Sequence, residues 1–209
     1  LETIENLRQR IMGALAAHFD VTYKAMTLPS QKITLFEAYQ EYMLGNQYFA
    51  TDYSKAIAHY ERAVELDPDF LMPKFRIAVS YGNMGEYAKE ESILQLISQK
   101  RELLTPFELN MLGWCSASLQ GKNEEALSFV RKMQKIAPNF WSAGYLIGRL
   151  SLHLNRPWET VKILSKFCQK IPEWLQGHVT VTWAYNVLFD SYQMLGNYKK
   201  ELKVAREAR

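Results

Sequence analysis

The chain has 209 residues, of which 48% are hydrophobic and 22% are charged, which is the composition of a folded globular protein rather than of a disordered one. The formal net charge is only +3, with 25 Lys and Arg residues scattered among 22 Asp and Glu residues, so we do not expect nucleic acid as the main partner. No apolar run approaches the roughly 18 residues of a membrane span, so no membrane insertion is expected.

Residues 1–34 are predicted to form an amphipathic helix followed by a linker. Apolar residues recur at helical spacing from Ile4 to Phe19, and Leu28-Pro29-Ser30 interrupts the helical pattern. The apolar face of this helix needs cover, and three hypotheses remain open. It packs on the helices that follow, which we favour, or it lies in a binding groove, or it packs on a domain outside this chain.

A phrase made of apolar residues, a proline and an aromatic residue two positions after the proline recurs along residues 35–209. It occurs as YERAVELDPDF, MQKIAPNFW and FCQKIPEWL, and the prolines of the last two copies are 34 residues apart. Between these phrases lie turn signals such as VSYGNMGEYAKE and DSYQMLGNYKKE. Gly85, Gly121 and Gly196, with Asn155 in a fourth copy, are predicted to supply the left-handed residue at a helix end.

Two helices per period of 34 residues, with Gly or Asn in the turn and Pro between pairs, resemble the tetratricopeptide repeat (TPR). The resemblance implies an all-α fold, a right-handed α-solenoid of about five TPR helix pairs with a concave inner face. The units would span about 38–70, 71–104, 107–140, 141–174 and 182–209. Small residues such as Ala56, Ala126 and Gly148 let paired helices approach closely. Glu90 and Glu201 stand at that small-residue position and predict looser packing in the second and fifth units.

The segments LRQRIMGALAAHFD, LTPFELNMLGW and LNRPWETVKIL look like the C-terminal repeat regions of large bacterial signalling proteins. In those proteins a serine/threonine kinase or a DNA-binding transcriptional-activator domain stands upstream, often with a TolB-like β-domain between. The resemblance implies a sensory or regulatory arm. The start at Leu1 and the end within a helical pattern also lead us to expect that the chain is part of a longer protein.

No catalytic, phosphate-binding or metal-binding motif is visible, so we expect no enzyme activity, no cofactor and no metal. The four histidines fall in four separate elements. Cys115 and Cys168 lie in apolar helical patterns and are predicted to be buried thiols, with a disulfide as the alternative. Two lone thiols slightly favour the cytoplasm, although a membrane-anchored parent would allow an extracytoplasmic location.

In the TPR register, the inner residues of the first helix of each pair line a groove that binds a peptide or a partner helix. The predicted groove residues are Tyr42, Asn46, Phe49, Phe75, Arg76, Val79, Asn83, Met111, Tyr145, Arg149, His153, Trp183, Asn186 and Asp190. Aromatic, Asn and Arg side chains suit a protein or peptide ligand. The alternative is that the aromatic residues only add to the packed hydrophobic core and do not contact a ligand.

The basic clamp by which chaperone-binding TPR domains hold a C-terminal carboxylate is not matched. Only Asn46 fits it, because Arg76 stands where an Asn is required, so a chaperone C-terminus is not the expected ligand. The second hypothesis for function is oligomerisation, in which the repeats form a homodimer and thereby dimerise the parent protein.

Overall fold

The computed structural model describes residues 3–19, 34–138, 140, 142–169, 171 and 179–207. These residues form α-helices joined by short turns, with one 3-10 turn at Arg101–Leu103 and no strand among them. The helices are α1 (Ile4–Phe19), α2 (Phe36–Tyr48), α3 (Tyr53–Leu66), α4 (Leu71–Asn83), α5 (Tyr87–Ser98), α6 (Pro106–Leu119), α7 (Asn123–Ile136), α8 (Ser142–His153), α9 (Pro157–Gln169), α10 (Val179–Met194) and α11 (Tyr198–Glu207).

The chain divides into two compact units, Leu1–Gln120 and Gly121–Arg209. The N-terminal unit contains α1 to α6 and the C-terminal unit contains α7 to α11. The boundary therefore falls inside the third predicted repeat, 107–140, between its two helices. The division into five repeats stays a prediction, and most of the predicted linker (20–33) lies outside the described residues.

Local sequence determines where the helices begin and end. Gly85, Gly121, Asn155 and Gly196 all have positive φ, between 57° and 77°, which confirms the predicted turn conformation. At the start of α6, Thr105 and Glu108 form a capping box in which each side chain satisfies a backbone N–H of the other residue.

Paired helices approach closely because the first helix lacks a side chain where the second presents a large one. Gly45 of α2 faces the ring of Tyr60 in α3, and a Cβ atom there would collide with that ring. In the C-terminal unit, a Cβ atom on Gly148 of α8 would lie 2.6 Å from Leu164 Cγ in α9. The predicted small residues Ala56 and Ala126 are both fully buried.

Glu90 does not loosen the second helix pair as predicted. Its side chain is 8% exposed and lies over Gly82 of α4, where a Cβ atom would be 2.5 Å from Glu90 Oε2. Gly82 therefore provides the space that a small residue at position 90 would otherwise provide. In the fifth pair, Glu201 is half-buried, and its Oε2 atom is buried without a hydrogen-bond partner in the described part of the chain.

The N-terminal helix packs on α2, but not through its apolar face. Gln9 exchanges hydrogen bonds with Glu37: its Nε2 donates to Glu37 Oε1 at 3.1 Å, and its Oε1 accepts from the Glu37 backbone N–H at 3.3 Å. Gly13 lies against the backbone carbonyl of Thr34. The helix therefore packs on the first predicted repeat, as expected, but its apolar face is not the packed side, since Ile4 and Phe19 at its two ends are 89% and 77% exposed.

The glycine contact between α8 and α9 can be tested by a double-mutant cycle. We expect Gly148→Ala to lower the unfolding free energy by roughly 1–3 kcal/mol, because the new Cβ atom overlaps Leu164. In a Leu164→Ala background this overlap is absent. Gly148→Ala should then raise the unfolding free energy by up to about 1 kcal/mol, because Ala has a higher helix propensity than Gly. Urea unfolding of the four variants measures both numbers. Equal effects in the two backgrounds would show that Leu164 does not set the helix approach.

Candidate partner-binding faces

The predicted groove residues are distributed over both units, and each unit is described by itself. The N-terminal face lies on α2, α4 and α6, and one of its residues, Phe49, directly follows the end of α2. Its members are Tyr42, Asn46, Phe49, Phe75, Arg76, Val79, Asn83 and Met111. The C-terminal face, on α8 and α10, carries Tyr145, Arg149, His153, Trp183, Asn186 and Asp190.

Aromatic and apolar side chains form the floor of the N-terminal face. Tyr42 and Phe75 have almost no exposed surface, and Phe49 and Met111 are also buried. The Tyr42 ring packs against Phe70 with ring centroids 5.2 Å apart. A side chain without exposed surface cannot touch a partner unless it moves, so these four residues act as support.

The members of the N-terminal face that reach solvent are few and mostly polar. Asn46, Arg76 and Val79 are half-buried, and Asn83 is exposed. The hypothesis that residues of this face touch a partner directly therefore applies only to these four residues.

Arg76 is the one cation of this set, and its charge is not balanced by a neighbouring carboxylate of the described residues. Its guanidinium carbon lies 4.8 Å from the centroid of the Phe49 ring, which is the geometry of a cation–π contact. The Tyr42 and Tyr60 hydroxyl groups also lie near it. Within the described ranges, no Asp or Glu forms an ion pair with Arg76.

Tyr60 of α3 is a member of this face that the sequence did not predict. Its hydroxyl donates a hydrogen bond of 2.9 Å to Asn46 Oδ1, and burial raises the pKa of the phenol well above its usual value. The Tyr60 ring lies in the core and has no exposed surface. The phenol oxygen nevertheless reaches the inner face and fixes the Asn46 amide so that its NH₂ group is turned away from Tyr60.

Two ionisable groups lie behind the N-terminal face. The Cys115 thiol is buried, and burial together with the nearby Glu90 carboxylate raises its pKa, so it stays protonated. Burial also raises the pKa of Glu90 to about 7. Both cysteines are thiols rather than disulfide partners, and Cys168 is half-buried rather than buried as predicted.

The C-terminal face has an aromatic floor with a polar rim. Tyr145 is buried and packs on the half-buried Trp183 with ring centroids 5.9 Å apart. Around them the exposed residues are Arg149, His153, Asn186 and Asp190. Partial desolvation and the Arg149 charge lower the pKa of His153, which favours its neutral form at neutral pH.

Neither face carries a cluster of metal-binding groups in the described residues. No three His, Cys, Asp or Glu side chains lie together there as metal ligands would. In the same part of the chain, no helix has both the length and the apolar character needed to cross a membrane.

Comparisons with known proteins point to one repeat class. The tetratricopeptide repeat family profile matches residues 48–70, which run from the end of α2 past the end of α3. A solved structure of a single-substitution variant of a Podosopora anserina putative kinesin light chain, with nearly identical TPR-like repeats, is similar at a TM-score of 0.50 and 14% sequence identity. The match covers 82% of this chain and 92% of that one. A structure of MamA from MSR-1 matches at a TM-score of 0.44 and 16% identity, covering 82% of this chain and 94% of that one.

Comparison with curated protein sequences gives no match. At 14% identity the likeness to the TPR-like repeat structure concerns the fold alone. Together with the helices described above, it confirms the predicted fold class, an all-α solenoid of the TPR type. Tetratricopeptide repeats generally act as non-catalytic interaction modules that bind other proteins.

The buried Glu90 carboxylate should make stability depend on pH. Its pKa is about 7 in the folded chain against 4.5 for an unperturbed Glu. The stability that the protonated Glu90 carboxyl contributes below pH 4.5 is therefore lost as the pH rises through 7. We expect Glu90→Gln to remove this loss and to raise the unfolding free energy at pH 8 by about 1–3 kcal/mol relative to wild type. Urea unfolding at pH 5 and pH 8 measures the difference.

Glu91→Gln is the matched control for this measurement, because Glu91 is the adjacent exposed carboxylate on the same helix. Its effect should be the same at both pH values. If Glu90→Gln also has an effect that is independent of pH, then Glu90 is not held in its protonated form by burial.

Proposed function

We propose that this chain is a non-catalytic scaffold whose inner helix faces bind a segment of another protein, and that Arg76 pairs with a carboxylate of that segment. The observation that carries the proposal is the half-buried Arg76 guanidinium, which stacks on Phe49 and has no carboxylate partner in the described part of the chain. A partner that supplies the carboxylate would complete this arrangement.

The physical argument concerns the environment of the Arg76 charge. A cation near buried aromatic rings has lost part of its hydration, so it interacts more strongly with an anion than a fully solvated cation does. The contact with the Phe49 ring restricts the position of the guanidinium, and a planar guanidinium can bind a carboxylate through two parallel hydrogen bonds. Asn46, held by Tyr60, can then bond the backbone of the same segment.

The C-terminal face would provide a separate binding surface within its own unit. Trp183 is half-buried over Tyr145, and Trp and Arg are the residue types that most often dominate binding energy at protein interfaces. Arg149 and Asp190 are exposed and of opposite charge, so this face suits a segment that carries both signs. The buried Phe75 on the N-terminal face would instead support the fold that presents Arg76.

We further propose that the chain serves as the regulatory arm of a larger bacterial signalling or transcription-regulating protein in the cytoplasm. Support for the parent protein comes from the three sequence segments that resemble such proteins. Support for the compartment comes from two cysteines that remain thiols. A partner bound to the inner faces would alter the attached domain if its affinity differs between the states of that domain.

The proposal can be tested by selecting peptides from a phage-displayed library against the wild-type chain and against Arg76→Gln. We expect peptides selected on the wild type to share an Asp or Glu at a fixed position, and those selected on Arg76→Gln to lack it. Arg62→Gln is the matched control, because Arg62 is exposed and already paired with Glu65 at 2.8 Å. Acidic peptides selected equally on all three chains, or no binding peptides at all, would contradict the proposal.

A further inference from the structure

The N-terminal helix presents an apolar stripe to solvent. The stripe consists of five large side chains that are each between 51% and 89% exposed: Ile4, Leu7, Ile11, Leu15 and Phe19. Single exposed apolar residues are ordinary on a protein surface, but five along one side of a helix, with only Arg8 and His18 among them, mark an interaction surface.

The stripe lies opposite the face that holds α1 to the rest of the N-terminal unit. With about 100° between successive residues of a helix, Gly13 is about 180° from Ile4, and the stripe spans about 120° centred near Ile4. Gln9 and Gly13 make the contacts to the N-terminal unit, by hydrogen bonds to Glu37 and by close approach to Thr34. The helix is therefore anchored with its apolar face directed outward.

We propose that a second copy of this chain covers the stripe, with two α1 helices packed antiparallel about a two-fold axis through Ile11. The proposal does not depend on peptide binding at Arg76. Leu7 and Leu15 lie four residues on either side of Ile11, and Ile4 and Phe19 lie seven and eight residues away. In an antiparallel pair, Ile11 faces Ile11 and Leu7 faces Leu15 of the other copy, while Ile4 and Phe19 lie within one residue of facing each other, so the stripe is close to self-complementary about a two-fold axis.

Charge favours the antiparallel arrangement over the parallel one. The Cα atom of Arg8 lies within the roughly 120° span of the stripe, and its guanidinium donates to Glu5 of the same helix at 2.6 Å and 2.9 Å. In a parallel pair in register, Arg8 would face Arg8 of the other copy, and like charges would repel. In the antiparallel pair Arg8 faces Ala14, and the two helix dipoles oppose each other favourably.

The area of the stripe fits a weak dimer. If each of the five side chains contributes about 100 Å², the stripe offers on the order of 500 Å² per chain. Two copies would bury about 1,000 Å², which lies at the lower limit of specific interfaces, so we expect a dissociation constant in the micromolar range. A membrane surface fits less well, because α1 carries only Arg8 and Arg10 against Glu5, whereas helices that lie on membranes are rich in Lys and Arg.

The test is sedimentation of the full chain from roughly 1 to 200 µM, a range that brackets the expected dissociation constant. The wild type should change from monomer to dimer, and Ile11→Asp should weaken the dimer at least about 100-fold, because two carboxylates would meet at the axis. Leu96→Asp is the matched control: Leu96 is an exposed apolar residue of α5 in the same unit, 58% exposed against 52% for Ile11, and its change should leave the dimer intact.

A second variant tests the geometry. Under oxidising conditions Ile11→Cys should form a disulfide-linked dimer, because the two sulfurs meet at the axis, whereas Leu96→Cys should not. Circular dichroism checks that each variant keeps the helical content of the wild type.

Three results would overturn the proposal. One is a wild type that stays monomeric throughout the concentration range. If Ile11→Asp then also lowers the unfolding free energy, a segment of the same chain covers the stripe instead. The second is a dimer that Ile11→Asp and Leu96→Asp weaken equally, which would place the interface elsewhere. The third is a monomeric wild type that binds anionic lipid vesicles through Ile11, which would assign the stripe to a membrane surface.

Discussion

The contact on which the described fold depends is the close approach of two paired helices, where the first helix gives up a side chain to make room for one on the second. Gly45 makes room for Tyr60, and Gly148 for Leu164. Because interiors are close-packed, a glycine at such a point fixes both the distance between the helices and the position of the facing side chain. The same contact therefore determines the position of the polar group at the end of a core side chain, such as the Tyr60 hydroxyl.

Tyr60 shows how this constraint reaches the candidate binding face. Its ring lies over Gly45, which directs its hydroxyl to Asn46 and places it near Arg76. Asn46 and Arg76 are thus held by groups that belong to the core. A face built in this way is preorganised, so little conformational entropy is lost when a partner binds. The Arg76 charge, stacked on Phe49 without a carboxylate from the described residues, gives that face its preference for an anion.

Much of the fold could be predicted from local sequence. The turns at Gly85 and Asn155 follow from residue types that tolerate positive φ, and the all-α class follows from a 34-residue recurrence that several segments share. The depth of burial could not be predicted in this way. The repeat register indicates which way Tyr42 and Arg76 point, but their burial depends on neighbours outside their own helices, such as Phe70 for Tyr42 and Phe49 for Arg76.

Two further outcomes required the three-dimensional arrangement. Glu90 at a small-residue position suggested loose packing, and the compensating Gly82 becomes apparent only when the two helices are placed side by side. The amphipathic pattern of α1 suggested a helix buried through its apolar face. Its opposite face is the one that packs, because Gln9 bonds to Glu37 there, and the pattern alone does not indicate which surface covers the apolar side.

The central claim is that Arg76 recognises a carboxylate of a bound protein segment. The most direct test is a thermodynamic cycle measured by calorimetry between Arg76→Gln and an Asp→Asn or Glu→Gln change in the tightest peptide selected on the wild-type chain. We predict a coupling free energy of at least about 1 kcal/mol between the two changes, since a partly desolvated charge pair is lost in either variant. Additive effects, with no coupling between the two changes, would contradict the claim and assign the affinity of the face to other contacts.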